Sequence, residues 1–171
     1  MSVPADTLRL HLEYTTWASA RLMDVVEQLT PEELARDFGT ADKTITGSLA
    51  HVFAADRVWM KRIQGNTQPG AFISPEDRDL GLLKREWPAL LEQWKQWGAG
   101  LTDESVNQKA NYHDLKGNPH STTLWQIVLH VVNHGTHHRG QVAGFLRALG
   151  KTPPPLDLIA FYREKAASAK P

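Results

Sequence analysis

The chain contains no cysteine. That excludes disulfides, thiolate metal sites and a protein thiol as nucleophile. It carries no excess of either charge, with nineteen Lys plus Arg against nineteen Asp plus Glu. A chain without net charge has no global attraction for phosphate backbones or anionic lipid, so no nucleic-acid partner is expected. No apolar run reaches the roughly 20 residues of a membrane span. The opening MSVPADTLRLHLEY lacks a basic stretch followed by an apolar one, and so does not read as a signal peptide. These absences predict a cytoplasmic protein with no membrane partner. The 171 residues suit a single domain, 1–171, large enough to bury a core without covalent staples.

What is present is helical periodicity. Leu8, Leu12, Thr15, Ala18, Leu22, Val25 and Leu29 recur three and four apart, the spacing of one helix face. Thr30-Pro31-Glu32-Glu33 has the order of a capping box and predicts a short helix over 31–36. A second long helix is predicted over 44–63. From Gly47 to Met60 its titratable residues are His51, Asp56 and Arg57, so it should be buried on most sides. Gln64 to Gly70 breaks it, and Ser74-Pro75-Glu76-Asp77 signals a new start. Leu80, Leu83, Trp87, Leu90, Trp94, Trp97 and Leu101 then form a bundle seam, with a kink or fresh start expected at Pro88. The segment 101–123 lacks helical period and suggests a small β-hairpin turning at Gly117-Asn118. The last long helix should run from Leu124 to Leu149 and stop at Gly150, and a short one should follow a Pro-rich connector near 156–165. The predicted fold is all-α: a four-helix up-down bundle with a longer connection and a hairpin before the last long helix.

That last helix carries HVVNHGTHHRGQV, which holds four of the chain's eight histidines. Its core stripe should run Leu124, Ile127, Val131, then 134 and 138, then Val142, Phe145 and Leu149. At about 100° per residue, His134 lies within about 20° of Ile127 and Phe145, and His138 about 40° further round. Arg139 falls nearly opposite, toward solvent or a loop. Two imidazoles in core slots need polar partners, and a divalent metal can take both at i, i+4 spacing. A third ligand is best supplied by His51, in SLAHVFAAD. Gly47, Ser48, Ala54 and Ala55 around it leave room for an ion. His130 and His137 flank the same face and are alternatives to the chosen pair, or else hydrogen-bond around it. His11, His113 and His120 read as surface or loop histidines, the Trp stripe as core, and Asp56 as a residue in reach of the ligands. Three imidazoles with an open position describe a catalytic rather than a structural site, able to activate water or a small thiolate. Nickel, iron and manganese accept such ligands as well as zinc. The H-E-x-x-H pattern is absent, since Gly135 and Thr136 follow His134, which argues against an ordinary metalloprotease.

LEYTTWASARLMDVVEQLTPEEL, TITGSLAHVFAADRVWMKRI and HVVNHGTHHRGQV with its tail LRALGKTPPPLDLIAFYRE resemble the DinB/YfiT family over nearly the whole chain. The resemblance implies a four-helix bundle, often a homodimer, that binds a divalent metal such as nickel or zinc. It implies His51, His134 and His138 as the three metal ligands. It also implies one of several chemistries: transfer of a low-molecular-weight thiol, thiol-dependent isomerisation, or metal-dependent hydrolysis of a small-molecule substrate. The alternative to an enzyme is a metal-binding stress-response protein or dimeric scaffold.

Overall fold

The computed structural model describes residues 3–66 and 72–168. Six helices and one hairpin make up the fold: α1 (Ala5–Val26), α2 (Pro31–Ala35), α3 (Ile45–Ile63), α4 (Leu80–Ala99), β1 (Lys109–His113), β2 (Pro119–Thr123), α5 (Leu124–Ala148) and α6 (Leu158–Ser168). Residues 67–70 of the predicted breaker lie outside the described residues. Among the described residues no helix is long and apolar enough to cross a membrane.

The sequence signals act where they stand. The Thr30 hydroxyl accepts from the Glu33 amide while Glu33 accepts from the Thr30 amide, closing the capping box of α2. Thr44 caps α3 through the Gly47 amide. Asp79 caps α4, one turn after the Ser74 signal. That signal itself becomes a 3-10 turn, Pro75–Arg78, which Arg57 clamps to α3 by a two-pronged pair with Asp77, both contacts 2.7 Å. Gly150 adopts φ +74° and ends α5, as a residue without Cβ can.

Of the two expectations at Pro88 the fresh start does not occur, and α4 runs through it. Pro88 is exposed, so the carbonyl one turn before it, at Lys84, can turn to water. The hairpin forms with Lys109 opposite Thr123 and Tyr112 opposite His120. Its loop is tied by Asp114, whose carboxylate accepts from the Lys116 and Asn118 amides and from the Asn118 side chain.

The four long helices form a ring in which α1 packs on α4 and α5, and α3 packs on the same two. The pairs α1/α3 and α4/α5 therefore lie across the bundle. The connection through α2 and the connection through the hairpin both cross it, so two long links replace the one expected. Leu8, Leu12, Leu22, Leu49, Phe53, Trp87, Trp94, Ile127 and Leu146 are sealed in the centre. Trp87 and Trp94 turn their indole N–H groups onto Asp56, one to the carboxylate at 3.0 Å and one to the backbone carbonyl at 3.2 Å. Asp56 thus ties α3 to α4 and does not face the histidines, contrary to its predicted place beside the ligands. At position 56 the helix has turned about 140° from residue 51, so the two side chains leave α3 on different faces.

Arg139 also reverses its expectation. It is 2% exposed, not turned to solvent. Its guanidinium reaches α1, donating to Ser19 at 3.2 Å and Thr15 at 3.3 Å. The face opposite the histidines is not the outside of the bundle, because α5 touches α1 there and α3 on the other side. A long, flexible cation can lie along such a seam and use its hydroxyls. Gly135 makes room for it: a Cβ there would stand 2.7 Å from an Arg139 terminal nitrogen.

Candidate metal centre

The structure brings His51, His134 and His138 together where α3 packs on α5. The Nε2 atoms of His51 and His134 are 3.1 Å apart. The ring of His138 lies 4.4 Å from that of His51 and 4.5 Å from that of His134, centroid to centroid. One nitrogen from each of the three falls within 4.8 Å of the others. His134 and His138 meet His51 because i, i+4 residues stand one above the other on α5. Gly47 also admits the incoming loop: a Cβ there would lie 2.1 Å from the carbonyl oxygen of Asp42.

That loop delivers a residue the sequence did not reveal. Asp42 sits behind two of the rings, with one carboxylate oxygen 3.3 Å from His51 Nδ1 and the other 3.6 Å from His138 Nδ1. The loop reaches this position through Lys43, at φ +63°, a conformation that costs a residue with a Cβ roughly 1–2 kcal/mol. Gln141 is the second missed residue. Its side-chain oxygen accepts from His138 Nδ1 at 2.8 Å, and its amide donates to His137 at 3.3 Å. Acceptors at Nδ1 hold the proton there and leave Nε2 as the free lone pair. Gln141 sets His138 in this way, while the Asp42 carboxylate stands 3.3 Å from His51 Nδ1 as a charge contact. His134 has no such support: its Nδ1 is buried and without a partner, and packing between neighbouring rings fixes its orientation.

The electrostatics favour neutral rings. Burial, then the neighbouring His138, His51, His130 and His137, pull His134 down to about 3. Burial and His51 lower His138, against the pull of Gln141 and Asp42 in the other direction. Burial and the charge of Arg62 lower His130. Imidazoles that are uncharged at neutral pH present lone pairs without first losing a proton.

This donor set suits a divalent cation. With metal–nitrogen distances of about 2.0–2.1 Å, nitrogens 3.1 Å apart meet at an angle of about 98°, between the octahedral and tetrahedral values. Among the described residues no carboxylate joins the three nitrogens, and Asp42 stands at the Nδ1 atoms of His51 and His138. Phe72 closes one flank, its ring edge-on to His51 at 5.1 Å.

The other histidines separate cleanly. His130 stays outside the trio, its ring 5.8 Å from His134 and wedged against Trp59. His137 is held by Gln141 on the exposed side. His11 bonds the Thr7 carbonyl, and His120 pairs with Asp114 in the hairpin.

Known proteins resemble this chain in sequence and in fold. The chain is 27% identical to Protein DinB of Bacillus subtilis (strain 168), over 85% of this chain and 87% of that protein. Its fold is similar to the crystal structure of a DinB-like protein from Bacillus cereus ATCC 10987, with a TM-score of 0.62 at 20% identity, covering 91% of this chain and 99% of the other. The sequence model of the DinB family matches residues 1–168, and the chain belongs to that family.

Proposed function

We propose that His51, His134 and His138 bind one divalent metal ion, nickel or zinc before iron or manganese, and that the site activates a small thiol or water against a small electrophile. The observation that carries this reading is the 3.1 Å approach of two Nε2 atoms from different helices. Side by side, such lone pairs repel unless a proton or a cation stands between them. When bound, the ion would supply Lewis acidity, bringing the pKa of water or thiol toward neutrality.

The chain's own residues define the rest. Gln141 holds a proton at Nδ1 of His138 and the Asp42 charge favours one at Nδ1 of His51, which leaves the Nε2 lone pairs of both rings for the ion. Burial holds His134 neutral. Phe72 shields the His51 edge from water. Among the described residues no glutamate or aspartate joins the three ligand nitrogens, which favours a nucleophile that gives up its own proton readily, a thiol, or direct hydrolysis without a protein base. The S-transferase and hydrolase readings both fit this environment.

The test is metal content followed by turnover. Wild-type protein should hold about one divalent ion per chain, and His51→Ala and His134→Ala much less. Equal loading in wild type and His51→Ala would remove the site. Metal-loaded protein should then turn over a member of a panel of thiol-plus-electrophile pairs and activated esters, and chelation should stop it. Loading without any metal-dependent turnover would leave a metal-binding stress-response protein or scaffold, and the catalytic part would fall.

A further inference from the structure

A cavity of about 600 Å³ lies on the flank of α5 away from His51, His134 and His138. It is framed by α1, α5 and the Pro-rich connector leading into α6. Its volume falls inside the range of small-molecule sites, about 300–1,000 Å³. Arg139 forms part of its wall.

Arg139 is a buried cation without an anion. Among the described residues no carboxylate lies within ion-pair distance of it, whereas the part-buried Arg57 has a bidentate partner in Asp77. Its hydrogen bonds go to three neutral hydroxyls, Ser19, Thr15 and Thr136, all at 3.2–3.3 Å, and its Nε has no partner at all. The nearest buried acid, Asp56, gives its carboxylate to Trp87. A guanidinium offers five donors in a flat fork suited to a carboxylate, and burying it unpaired is costly. Tyr14 and Thr136 stand beside it in the cavity wall, the Tyr14 ring 5.6 Å from the guanidinium carbon. The remaining wall joins apolar residues, Val132, Ala143 and Leu158 among them, to the polar His11, Asn133, Arg147 and Asp157. Thr136 and Gly140 are exposed, so the cavity opens to solvent.

We propose that this cavity binds a small monocarboxylate with an apolar body, its carboxylate taken by Arg139 beside Tyr14 and Thr136 and its body by Val132, Ala143 and Leu158. The ligand would supply the counter-charge that the fold omits. It would also sit on the same turn of α5 as His138, one residue away.

Octanoate is the probe, compared with 1-octanol and inorganic phosphate, by calorimetry and thermal shift on the full chain. Octanoate should bind and raise the melting temperature, and octanol and phosphate should each bind at least about tenfold more weakly, as expected for loss of a charged hydrogen bond or of the apolar body. Arg139→Gln should weaken octanoate at least about tenfold. Because that variant removes a buried residue, Gly140→Leu is the second test. A Cβ at Gly140 meets nothing within 4 Å, so leucine there fills the cavity without crowding the fold. It should abolish binding in a protein of unchanged stability. His51→Ala should bind octanoate as wild type does, which keeps this site distinct from the metal reading. Octanol binding as tightly as octanoate, wild-type affinity in Gly140→Leu, or no octanoate binding at millimolar concentration would each overturn the proposal. So would a wild-type dimer that Gly140→Leu dissociates without any carboxylate binding, since the groove would then belong to a second copy of the chain.

Discussion

Asp42→Asn tests how the centre is held. The substitution keeps the shape of the side chain and removes its charge. The Asp42 carboxylate is the acceptor that faces His51 Nδ1, at 3.3 Å, whereas His138 Nδ1 also has Gln141 at 2.8 Å. Loss of the charge therefore weakens the hold on the His51 ring, where only a neutral amide oxygen remains, and affects His138 less. Removing an outer partner of a metal-binding histidine costs about 10- to 100-fold in affinity, or about 1.4–2.7 kcal/mol. Asp42 keeps 19% exposure, and water screens part of its charge, so the lower half of that range is expected, about 10- to 30-fold. Gln141→Leu should cost less, because Asp42 remains 3.6 Å from His138. The double variant should cost more than the sum of the two, since each partner covers for the other at His138. Competition for zinc against a fluorescent chelator at neutral pH measures all four proteins. Metal-free melting temperatures serve as the control and should hardly move. An Asp42→Asn protein that binds zinc within twofold of wild type would refute the orienting role. A large fall in its metal-free melting temperature would assign Asp42 to the fold instead.

Other expectations follow from the same contacts. Gly47→Ala should weaken metal binding about as much as Asp42→Asn, because its Cβ would drive the Asp42 carbonyl away; unchanged affinity by the same competition assay would contradict this. Lys43→Gly should stabilise the metal-free protein by up to about 1 kcal/mol in urea unfolding, by relieving the φ +63° backbone, less the greater freedom glycine gains when unfolded. Burial raises the Asp56 carboxyl to about 7, against the Trp87 hydrogen bond and the Arg139 charge. Its folded pKa lies above the unfolded value near 4, so the folded state holds the extra proton between them and Asp56 makes the protein less stable as pH rises through that window. Asp56→Asn mimics the protonated form, and its melting temperature relative to wild type should therefore rise from pH 5 to pH 8; a constant difference would mean Asp56 does not titrate there. Trp87→Phe should cost about 1–3 kcal/mol in urea unfolding beyond its lost packing, because it leaves the Asp56 carboxylate without its side-chain donor.

Much of this protein can be read along the chain because it depends on neighbours in sequence. Helix faces, the Thr30 and Thr44 caps, the Gly150 stop and the hairpin turn are set by local periodicity and backbone chemistry. The placing of His134 and His138 in core slots also follows from the 3.6-residue repeat alone, and their meeting with His51 needed only that α3 and α5 be adjacent. The tertiary structure decided what lies behind and around those rings. Asp42 reaches them through a left-handed Lys43 and a missing Cβ at Gly47, a combination with no periodic signal. Arg139 is buried because both flanks of α5 are covered, by α3 on one side and α1 on the other, whereas a single helix wheel shows only one. Asp56 points to Trp87 and Trp94 because α4 packs on the face of α3 that turns away from His51. A repeat along one helix fixes which residues share a face; which faces meet is fixed only when the chain crosses the bundle, and there the partners are dozens of residues apart.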